Sequence, residues 1–326
     1  MNPRYSNYLG MPVLVTGGAG FIGSHLVRAL LHARANVMVL DDFSHGSMDN
    51  LADIESRVGI IQGDIRQPAD CLRALTGRTI VFHLAALGSV PRSVAEPLLY
   101  NQVNIGGTLN LLETARQTGV RRFIYSASSS AYGDTPITPK SETLCPNPLS
   151  PYAITKLTGE YFMRAYASLH GLQTLSLRYF NVFGPRQNPQ SQYAAVIPAW
   201  IHALLQKQPP TVYGDGAQTR DFCYVDNVVH ANLLAGITEN HIRGEVVNIA
   251  CGESISLTTL GQQLQQLMAS DIQLIYQPPR PGDVRDSLAD ITLAKKMLDY
   301  EPLIRFHEGL AHTVKWYQNA LKRTSQ

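Results

Sequence analysis

The chain is poor in cysteine, and its few cysteines are widely spaced. Only four occur among 326 residues, and no C-x-x-C motif is present. A disulfide framework or a zinc site needs closely patterned cysteines, so the sequence predicts neither of these and no bound metal. We expect free thiols in a reducing compartment. The four positions are Cys71, Cys145, Cys223 and Cys251.

Long apolar runs and blocks of like charge are also missing. No run of about 18 apolar residues exists, so no membrane-spanning helix is predicted. The segment Met1–Gly10 lacks the apolar stretch of a secretory signal. Charged residues make up 16% of the chain and the formal net charge is +2, so nucleic acid is not expected as the main partner. The expectation is a cytoplasmic protein that binds neither membrane nor nucleic acid.

The first 180 residues alternate short apolar runs with amphipathic stretches. Such alternation predicts parallel strands that are covered by helices on both faces. The predicted fold class is therefore α/β, a doubly wound parallel sheet of the Rossmann type. Strands are predicted at Val13–Val15, Val37–Leu40, Gly59–Ile61, Ile80–Leu84, Phe123–Tyr125 and Thr174–Leu177, and helices at Ile22–Ala33, Leu109–Gln117 and Tyr152–Leu169.

Proline and glycine become dense after Asn181, and the alternation ends there. This change predicts a nucleotide-binding domain over residues 1–180 and a smaller mixed α/β domain over residues 181–326. The boundary is soft, and a segment near 222–250 is expected to return to the first domain. The second part should contain helices near Val196–Leu205, Leu257–Met268 and Phe306–Lys322, and strands near Val212 and Val246–Ile249.

A glycine-rich turn follows the first predicted strand and begins the first helix. Gly17, Gly20 and Gly23 have the spacing G-x-x-G-x-x-G. The first allows a tight turn, the second a close approach to a pyrophosphate, and the third close packing of helix on strand. The first helical residues, Phe21 and Ile22, then offer free N–H groups and the positive end of the helix dipole. A tight turn without a ligand is the alternative.

Acidic and small residues at later strand ends favour a dinucleotide. Asp41 and Asp42 end the second strand, about 20 residues after the glycines, where an acid binds the ribose 2′-hydroxyl. A carboxylate there repels a 2′-phosphate and no arginine follows immediately, so NAD is predicted rather than NADP. Each position taken alone is also typical of a strand end. The other cofactor-binding candidates are Ser44, Gly46, Asp64, Ile65, Leu84, Ala85 and Ala86.

Tyr152 and Lys156 form a candidate acid/base pair. They are four residues apart, which places both side chains on one face of a predicted helix. An ammonium group beside a phenol favours the phenolate and lowers its pKa. The pair follows a serine-rich strand end, Ser126–Gly133. Taken alone, the same spacing is typical of solvated neighbours on a helix surface.

Together these motifs resemble the extended short-chain dehydrogenase/reductase family, from Gly17 to about Tyr300. Within that family the chain is most similar to the nucleotide-sugar 4-epimerases, in particular the bacterial UDP-N-acetylhexosamine 4-epimerases and their uronic-acid relatives. The matching segments are 85–92 (AALGSVPR), 128–134 (SSSAYGD), 150–156 (SPYAITK), 177–184 (LRYFNVFG), 193–198 (YAAVIP), 220–224 (RDFCY) and 280–284 (RPGDV).

The resemblance implies a redox-neutral inversion at C4 of a UDP-sugar. Tyr152 would take the proton of the 4-hydroxyl, and Ser128 would hydrogen-bond the 4-oxygen. Lys156 would hold the nicotinamide ribose and lower the pKa of Tyr152, and Tyr179 would also contact the cofactor. A tightly bound NAD would accept the hydride and return it to the other face of a 4-keto intermediate.

Two serines distinguish between relatives with different chemistry. In the 4,6-dehydratases an Asp-Glu pair follows the catalytic hydroxyl residue, and the decarboxylating relatives carry a glutamate nearby. Ser129 and Ser130 stand here instead, and a hydroxyl cannot replace a carboxylate base. Dehydration and decarboxylation are therefore disfavoured, and Ser129 becomes a candidate contact to the substrate.

The resemblance also implies a pocket for the UDP-sugar. Arginines are expected on its two phosphates, although a surface ion pair is the alternative for each of them. The implied residues are Arg220 and Arg280 for the phosphates, Asn181 for the UDP-sugar, Ala195, Val196 and Tyr213 for the uridine, and Asp283 for its ribose.

Ser287 stands where epimerases restricted to UDP-glucose and UDP-galactose carry a bulky tyrosine. A small residue makes room for a C2 N-acetyl group, and Gly88, Ser89 and Arg92 resemble the signature near that substituent. UDP-GlcNAc and UDP-GalNAc are therefore the expected substrates, with weaker activity on UDP-Glc and UDP-Gal. A UDP-uronic acid (UDP-GlcNAcA or UDP-GlcA) is the alternative substrate, and a non-catalytic NAD-binding regulator is a further alternative.

The family generally forms dimers through two helices of each subunit. Here these would be Leu98–Thr118 and Tyr152–Leu169. Both are amphipathic and carry additional apolar positions, such as Leu109 and Phe162, which permit a second buried face. A homodimer is therefore expected, and packing within one subunit is the alternative.

Overall fold

A seven-stranded parallel sheet forms the centre of the protein. The computed structural model describes residues 3–189, 195–279 and 284–324. The strands of the sheet are β1 (Pro12–Thr16), β2 (Asn36–Asp41), β3 (Gly59–Gln62), β4 (Ile80–His83), β5 (Arg122–Ser128), β6 (Gln173–Tyr179) and β11 (Glu245–Ile249). Their order is β11-β6-β5-β4-β1-β2-β3. The predicted α/β doubly wound sheet is confirmed, and its order reverses between β1 and β4, where such sheets bind ligands.

Helices cover both faces of the sheet because successive residues of each strand point to opposite sides. In β1, Val13 and Val15 belong to one core and Leu14 to the other. The first core is covered by α1 (Phe21–His32) and α8 (Val225–Ile237), and the second by α2 (Pro68–Leu75), α5 (Thr108–Gln117) and α6 (Pro151–His170). The strands are therefore apolar on both sides, which explains their continuous apolar runs.

The remaining elements are short and lie mostly in the second half of the chain. Within the described ranges, every helix is too short or too polar to cross a lipid bilayer. The other helices are α3 (Val90–Ala95), α4 (Pro97–Tyr100), α7 (Val196–Leu205), α9 (Leu257–Met268), α10 (Thr292–Leu298) and α11 (Phe306–Thr324), and the other strands are β7 (Val182–Phe183), β8 (Thr211–Tyr213), β9 (Thr219–Arg220), β10 (Cys223–Tyr224), β12 (Ile255–Ser256), β13 (Ile275–Gln277) and β14 (Asp286–Ser287).

A π-helical turn, Asn101–Gly107, joins α4 to α5. It turns Asn104 inward, where Nδ2 donates to Leu87 O at 3.1 Å and to Thr155 Oγ1 at 3.0 Å. Oδ1 of the same side chain accepts from Leu87 N at 2.9 Å. Such turns recur at functional sites. Here the turn ties the loop after β4 to the first turns of α6.

Short strands fix the loops beyond the carboxyl edge of the sheet. β9 pairs with both β12 and β14, and the buried Asp221 follows it directly. The Asp221 carboxylate accepts backbone N–H bonds from Cys251 and Gly252 at 3.0 Å and from Ala289 at 3.2 Å. Burial nevertheless raises the pKa of Asp221 to about 6. One side chain thus holds three loops together.

Residues of the second half return to the sheet. β11 pairs with β6, and α8 packs against α1. Both elements fall within residues 222–250, and the division of the chain into two domains, with its returning segment, stays a prediction. All four cysteines are free thiols.

Candidate active site

A cleft at the carboxyl ends of β1, β2 and β4 brings together most of the predicted cofactor-binding residues. Its position matches the reversal of strand order, where α/β sheets bind nucleotides. The cleft has a volume of about 340 Å³, within the usual range for small-molecule sites. The predicted cofactor-binding residues that line it are Gly17, Gly20, Phe21, Ile22, Gly23, Asp41, Asp42, Ser44, Gly46, Asp64, Ile65, Leu84, Ala85 and Ala86. Gly88, a predicted substrate contact, lines it too.

The glycine-rich turn leaves no room for side chains at two positions. Gly17 has a φ of +69°, and a Cβ there would lie 2.7 Å from Ala85 N. A Cβ on Gly23 would collide with the carbonyl oxygen of Gly17. Gly20 caps α1 without a side-chain hydrogen bond, so the first N–H groups of the helix are left for a ligand in the cleft. These features fit the pyrophosphate of a dinucleotide.

The two acids at the end of β2 shape the loop beside the cleft. Asp41 accepts hydrogen bonds from Ala19 N and Phe43 N, both at 2.9 Å. Its pKa is raised because burial outweighs these donors. Asp42 accepts from Ser44 N at 2.9 Å and from Ser44 Oγ at 2.6 Å. The carboxylates therefore hold the glycine-rich turn and the next loop in place and present negative charge to the cleft.

Ser128 and Tyr152 meet where β5 ends and α6 begins. Ser150 caps α6 by accepting from Ala153 N at 3.2 Å, which sets the position of Tyr152 in the first turn. Ser128 Oγ accepts from Ser130 N at 3.2 Å and from Ser130 Oγ at 2.9 Å. Burial raises the pKa of Tyr152, and its hydrogen bond with Ser128 lowers it. The predicted hydroxyl pair is therefore assembled.

The effect of Lys156 on the pKa of Tyr152 stays a prediction, and burial acts on both groups. Burial is the largest cause that raises the pKa of Tyr152. Lys156 is itself buried, which lowers its pKa to about 7, and its Nζ lies 4.7 Å from the centre of the Tyr125 ring. Burial disfavours the charged form of both groups, an effect that sequence spacing does not reveal.

A second cavity gathers five predicted substrate-binding residues: Asn181, Ala195, Val196, Tyr213 and Arg220. Asn181 Nδ2 donates to Asp221 O at 3.2 Å and to Ser287 Oγ at 3.4 Å. In the adjoining strand pair, Ser287 lies opposite Arg220. The buried Ser287 thus lies beside this cavity.

Gln218 also lines this cavity and was not predicted. Its Nε2 donates to Tyr213 O, whereas its buried Oε1 has no hydrogen-bond partner among the residues that the structure describes. A buried amide oxygen without a partner is costly, so it fits a donor on a bound nucleotide. The sequence around Gln218 contains no pattern that marks this glutamine as a binding residue.

Several other predicted contact residues line neither cavity. The Arg92 guanidinium contacts Glu96 at 3.0 Å and His45 at 3.0 Å, so it faces the loop beside the cofactor cleft. Ser89 Oγ caps α3 by accepting from Arg92 N, and the Tyr179 hydroxyl accepts from Asn232 Nδ2 at 2.8 Å. Ser129 begins the short turn after β5. Arg280 and Asp283 lie outside the described residues.

No metal centre is evident in ranges 3–189, 195–279 and 284–324, where no three His, Cys, Asp or Glu side chains are placed to hold an ion. The hydroxyls of Ser128 and Tyr152 and the amine of Lys156 are the candidate acid/base groups of the site. This set can move a proton to or from a hydroxyl group next to a dinucleotide.

Comparisons with known proteins identify the family. The model of the NAD dependent epimerase/dehydratase family matches residues 13–250. A UDP-glucose 4-epimerase of Mycolicibacterium smegmatis is 38% identical over 314 residues, which cover 95% of this chain and 99% of that protein. The structure of a UDP-N-acetylglucosamine 4-epimerase from Methanobrevibacter ruminantium M1, in complex with UDP-N-acetylmuramic acid, has a TM-score of 0.92 at 41% identity, covering 96% of this chain and 99% of that one.

A third relative binds a different sugar. The structure of a UDP-glucuronic acid 4-epimerase from Bacillus cereus, in complex with UDP-glucuronic acid and NAD, has a TM-score of 0.88 at 34% identity, covering 95% of this chain and 100% of that one. The fold, the glycine-rich cleft and these similarities agree. The chain therefore belongs to the NAD dependent epimerase/dehydratase family, with NAD as its cofactor.

Proposed function

We propose that this protein, an NAD-dependent UDP-sugar 4-epimerase, acts preferentially on UDP-N-acetylhexosamines and interconverts UDP-GlcNAc and UDP-GalNAc. The observation that carries the proposal is the small side chain of Ser287. Its Oγ accepts a hydrogen bond from Asn181 Nδ2 at 3.4 Å. A hydroxymethyl side chain leaves space that a tyrosine would fill, and a C2 N-acetyl group needs that space.

Three residues of the chain carry out the proton transfer in this proposal. Tyr152 accepts the proton of the sugar 4-hydroxyl as its phenolate and later returns it. Ser128 already bonds Tyr152 and holds the 4-oxygen beside it. Lys156 supplies a positive charge that favours the phenolate. Bound NAD supplies the hydride acceptor and donor, so the reaction has no net redox change.

The turn after β5 supports epimerisation over elimination. Ser129 and Ser130 form a single short turn, and the Ser130 hydroxyl donates to Ser128. Neither can act as the carboxylate base that dehydration or decarboxylation needs at this place. The hydroxyl of Ser130 instead fixes that of Ser128.

A panel of UDP-sugars tests the substrate. Purified protein is incubated with UDP-GlcNAc, UDP-GalNAc, UDP-Glc, UDP-GlcA and UDP-GlcNAcA without added NAD, and the 4-epimer is followed by NMR. We expect the highest kcat/KM with the N-acetylhexosamines and weaker turnover of UDP-Glc, because extra room rejects a smaller substrate only weakly. A higher kcat/KM for UDP-GlcA or UDP-GlcNAcA would instead support the uronic-acid alternative.

We further propose a homodimer formed through α4, α5 and α6. Three large apolar side chains of these helices are exposed: Leu98 (78%), Ile154 (50%) and Tyr161 (55%). Ile154 and Tyr161 are seven residues apart and share one face of α6. A second copy of the chain would bury this patch around the family's expected dimer axis.

Leu98→Glu should convert the dimer to a monomer, because the charge would have to be buried in the interface. Light scattering after gel filtration measures the mass. Leu303→Glu is the matched control, since Leu303 is also exposed but lies in the loop before α11. A wild-type monomer, or a Leu98→Glu variant that stays dimeric at micromolar concentration, would contradict this interface.

A further inference from the structure

A buried ion pair joins Glu160 of α6 to Arg178 of β6, and the mechanism above does not use it. Arg178 of β6 donates from Nε to Glu160 Oε1 at 2.8 Å and from Nη2 to Glu160 Oε2 at 2.7 Å. The two side chains are only 4% and 2% exposed. A buried ion pair often stabilises a fold no more than apolar residues of the same volume would. Stability alone therefore gives little reason for its presence.

The pair is rigidly held on the arginine side. The Arg178 guanidinium lies 4.5 Å from the centre of the Tyr132 ring, and the Tyr132 hydroxyl donates to Asn248 Oδ1 at 2.7 Å. The ring contact and the two hydrogen bonds to one carboxylate restrict the position of the guanidinium. The carboxylate of Glu160 is therefore fixed in direction as well as in charge.

Glu160 lies one helical turn beyond Lys156 on the same face of α6. Lys156 is buried, and burial lowers its pKa whereas the Glu160 carboxylate raises it. The other groups near Lys156 bring no negative charge at neutral pH. Tyr125 and Tyr152 have raised pKa values, and so does Tyr100, whose ring meets that of Tyr152 edge to face.

His83 of β4 brings no charge to Lys156 either. It is buried between Thr16 Oγ1 at 2.8 Å and Thr108 Oγ1 at 2.9 Å. Burial, together with the charge of Lys156, lowers the pKa of His83 to about 3. Glu160 is thus the anion that offsets the burial of Lys156, and Arg178 is the cation that limits this offset.

We propose that Glu160, held by Arg178, is a positioning residue that sets the charge of Lys156 and so its ability to act on Tyr152. The inference rests on the role of Lys156 proposed above. All three residues are buried, and the Glu160 carboxylate contacts Arg178 one helical turn from Lys156. Removing either end of the Glu160–Arg178 pair therefore changes the charge next to Lys156, but in opposite directions.

Two single substitutions distinguish this positioning role from a purely structural one. Glu160→Gln leaves Arg178 uncompensated, so Lys156 should titrate about one pH unit or more lower. Arg178→Gln leaves the carboxylate to Lys156 alone, so the lysine should titrate higher by a similar amount. Both variants break the same ion pair, and both should unfold at lower temperature. A structural role predicts the loss of stability without opposite shifts.

Carbon-13 NMR of protein labelled with [ε-¹³C]lysine measures the titration without relying on activity. The Lys156 signal is assigned by its loss in Lys156→Arg. The double variant Glu160→Gln/Arg178→Gln removes both ions of the pair. The pKa of its Lys156 should lie between those of the two single variants. Glu113→Gln is the control, because Glu113 pairs with Arg116 at the surface of α5. Unchanged titration, or shifts of the same sign, would overturn the proposal.

The pH dependence of kcat/KM distinguishes failure of this inference from failure of the mechanism. If charged Lys156 is needed, activity is lost as pH rises through its pKa. The fall of kcat/KM at alkaline pH, the alkaline limb of the profile, should therefore move to lower pH in Glu160→Gln and to higher pH in Arg178→Gln. If the NMR shifts occur but the limb stays in place, the positioning role stands and the proposed role of Lys156 in the reaction fails.

Discussion

Tyr152→Phe is expected to lower kcat for 4-epimerisation by about 10²–10⁴-fold, the usual contribution of a positioned acid/base. Phenylalanine keeps the ring against Tyr100, whose centroid is 6.5 Å away, and removes only the hydroxyl that bonds Ser128. KM should change little, because the proton transfer is felt in the transition state rather than in substrate binding. The rate is measured by NMR on UDP-GlcNAc.

Tyr166→Phe is the matched control for this prediction. Tyr166 lies on the same helix, and its hydroxyl donates to Glu113 at 3.2 Å, away from Ser128. This variant should keep wild-type kcat. If Tyr152→Phe retains full 4-epimerisation while it folds and holds NAD normally, Tyr152 is not the base.

Ser287→Tyr is expected to reverse the preference for N-acetylated substrates. Ser287 is buried in β14, opposite Arg220 and bonded to Asn181, and both of these neighbours line the second cavity. A ring in the cavity excludes the N-acetyl group and tolerates a C2 hydroxyl. We expect the ratio of kcat/KM for UDP-GlcNAc over UDP-Glc to fall by about 10–100-fold.

Ser287→Ala provides the control for this variant. It loses the hydrogen bond with Asn181 but keeps the space, so it should retain the preference for UDP-GlcNAc. Thermal unfolding of both variants shows whether the β9–β14 pairing survives. If Ser287→Tyr is folded and still prefers UDP-GlcNAc as strongly as the wild type, side-chain size at residue 287 does not set the specificity.

Local patterns predicted the parts of the fold that depend on neighbours in sequence. The helices Val196–Leu205 and Leu257–Met268 occur with the predicted bounds, and each predicted strand of the sheet occurs within a few residues of its expected position. Apolar runs flanked by glycine predict strands, and amphipathic periodicity predicts helices. Neither pattern depends on residues that are distant in the sequence. The glycine-rich turn and Asp41 belong to this class, because strand, turn and helix are consecutive.

Elements that depend on distant partners were harder to predict. Helix α8 is buried on nearly every side, so its amphipathic period is weak and it was expected only as part of a returning segment. The two-residue strands β9 and β14 carry almost no local signal, yet their pairing holds Ser287 opposite Arg220. The orientation of Arg92 towards Glu96 and His45 likewise depends on a loop 47 residues away.

By itself the sequence determined the sheet class, the dinucleotide turn and the pairing of Tyr152 with Lys156, since each is a short-range pattern. Only the tertiary structure decided the charge environment of that pair. It placed Glu160 against Arg178 and one helical turn from Lys156, brought the unpartnered oxygen of Gln218 to the second cavity, and partly buried Tyr152, which raises its pKa. The physical reason is burial: the cost of a charge depends on everything packed around it, and packing joins residues that are distant in the chain.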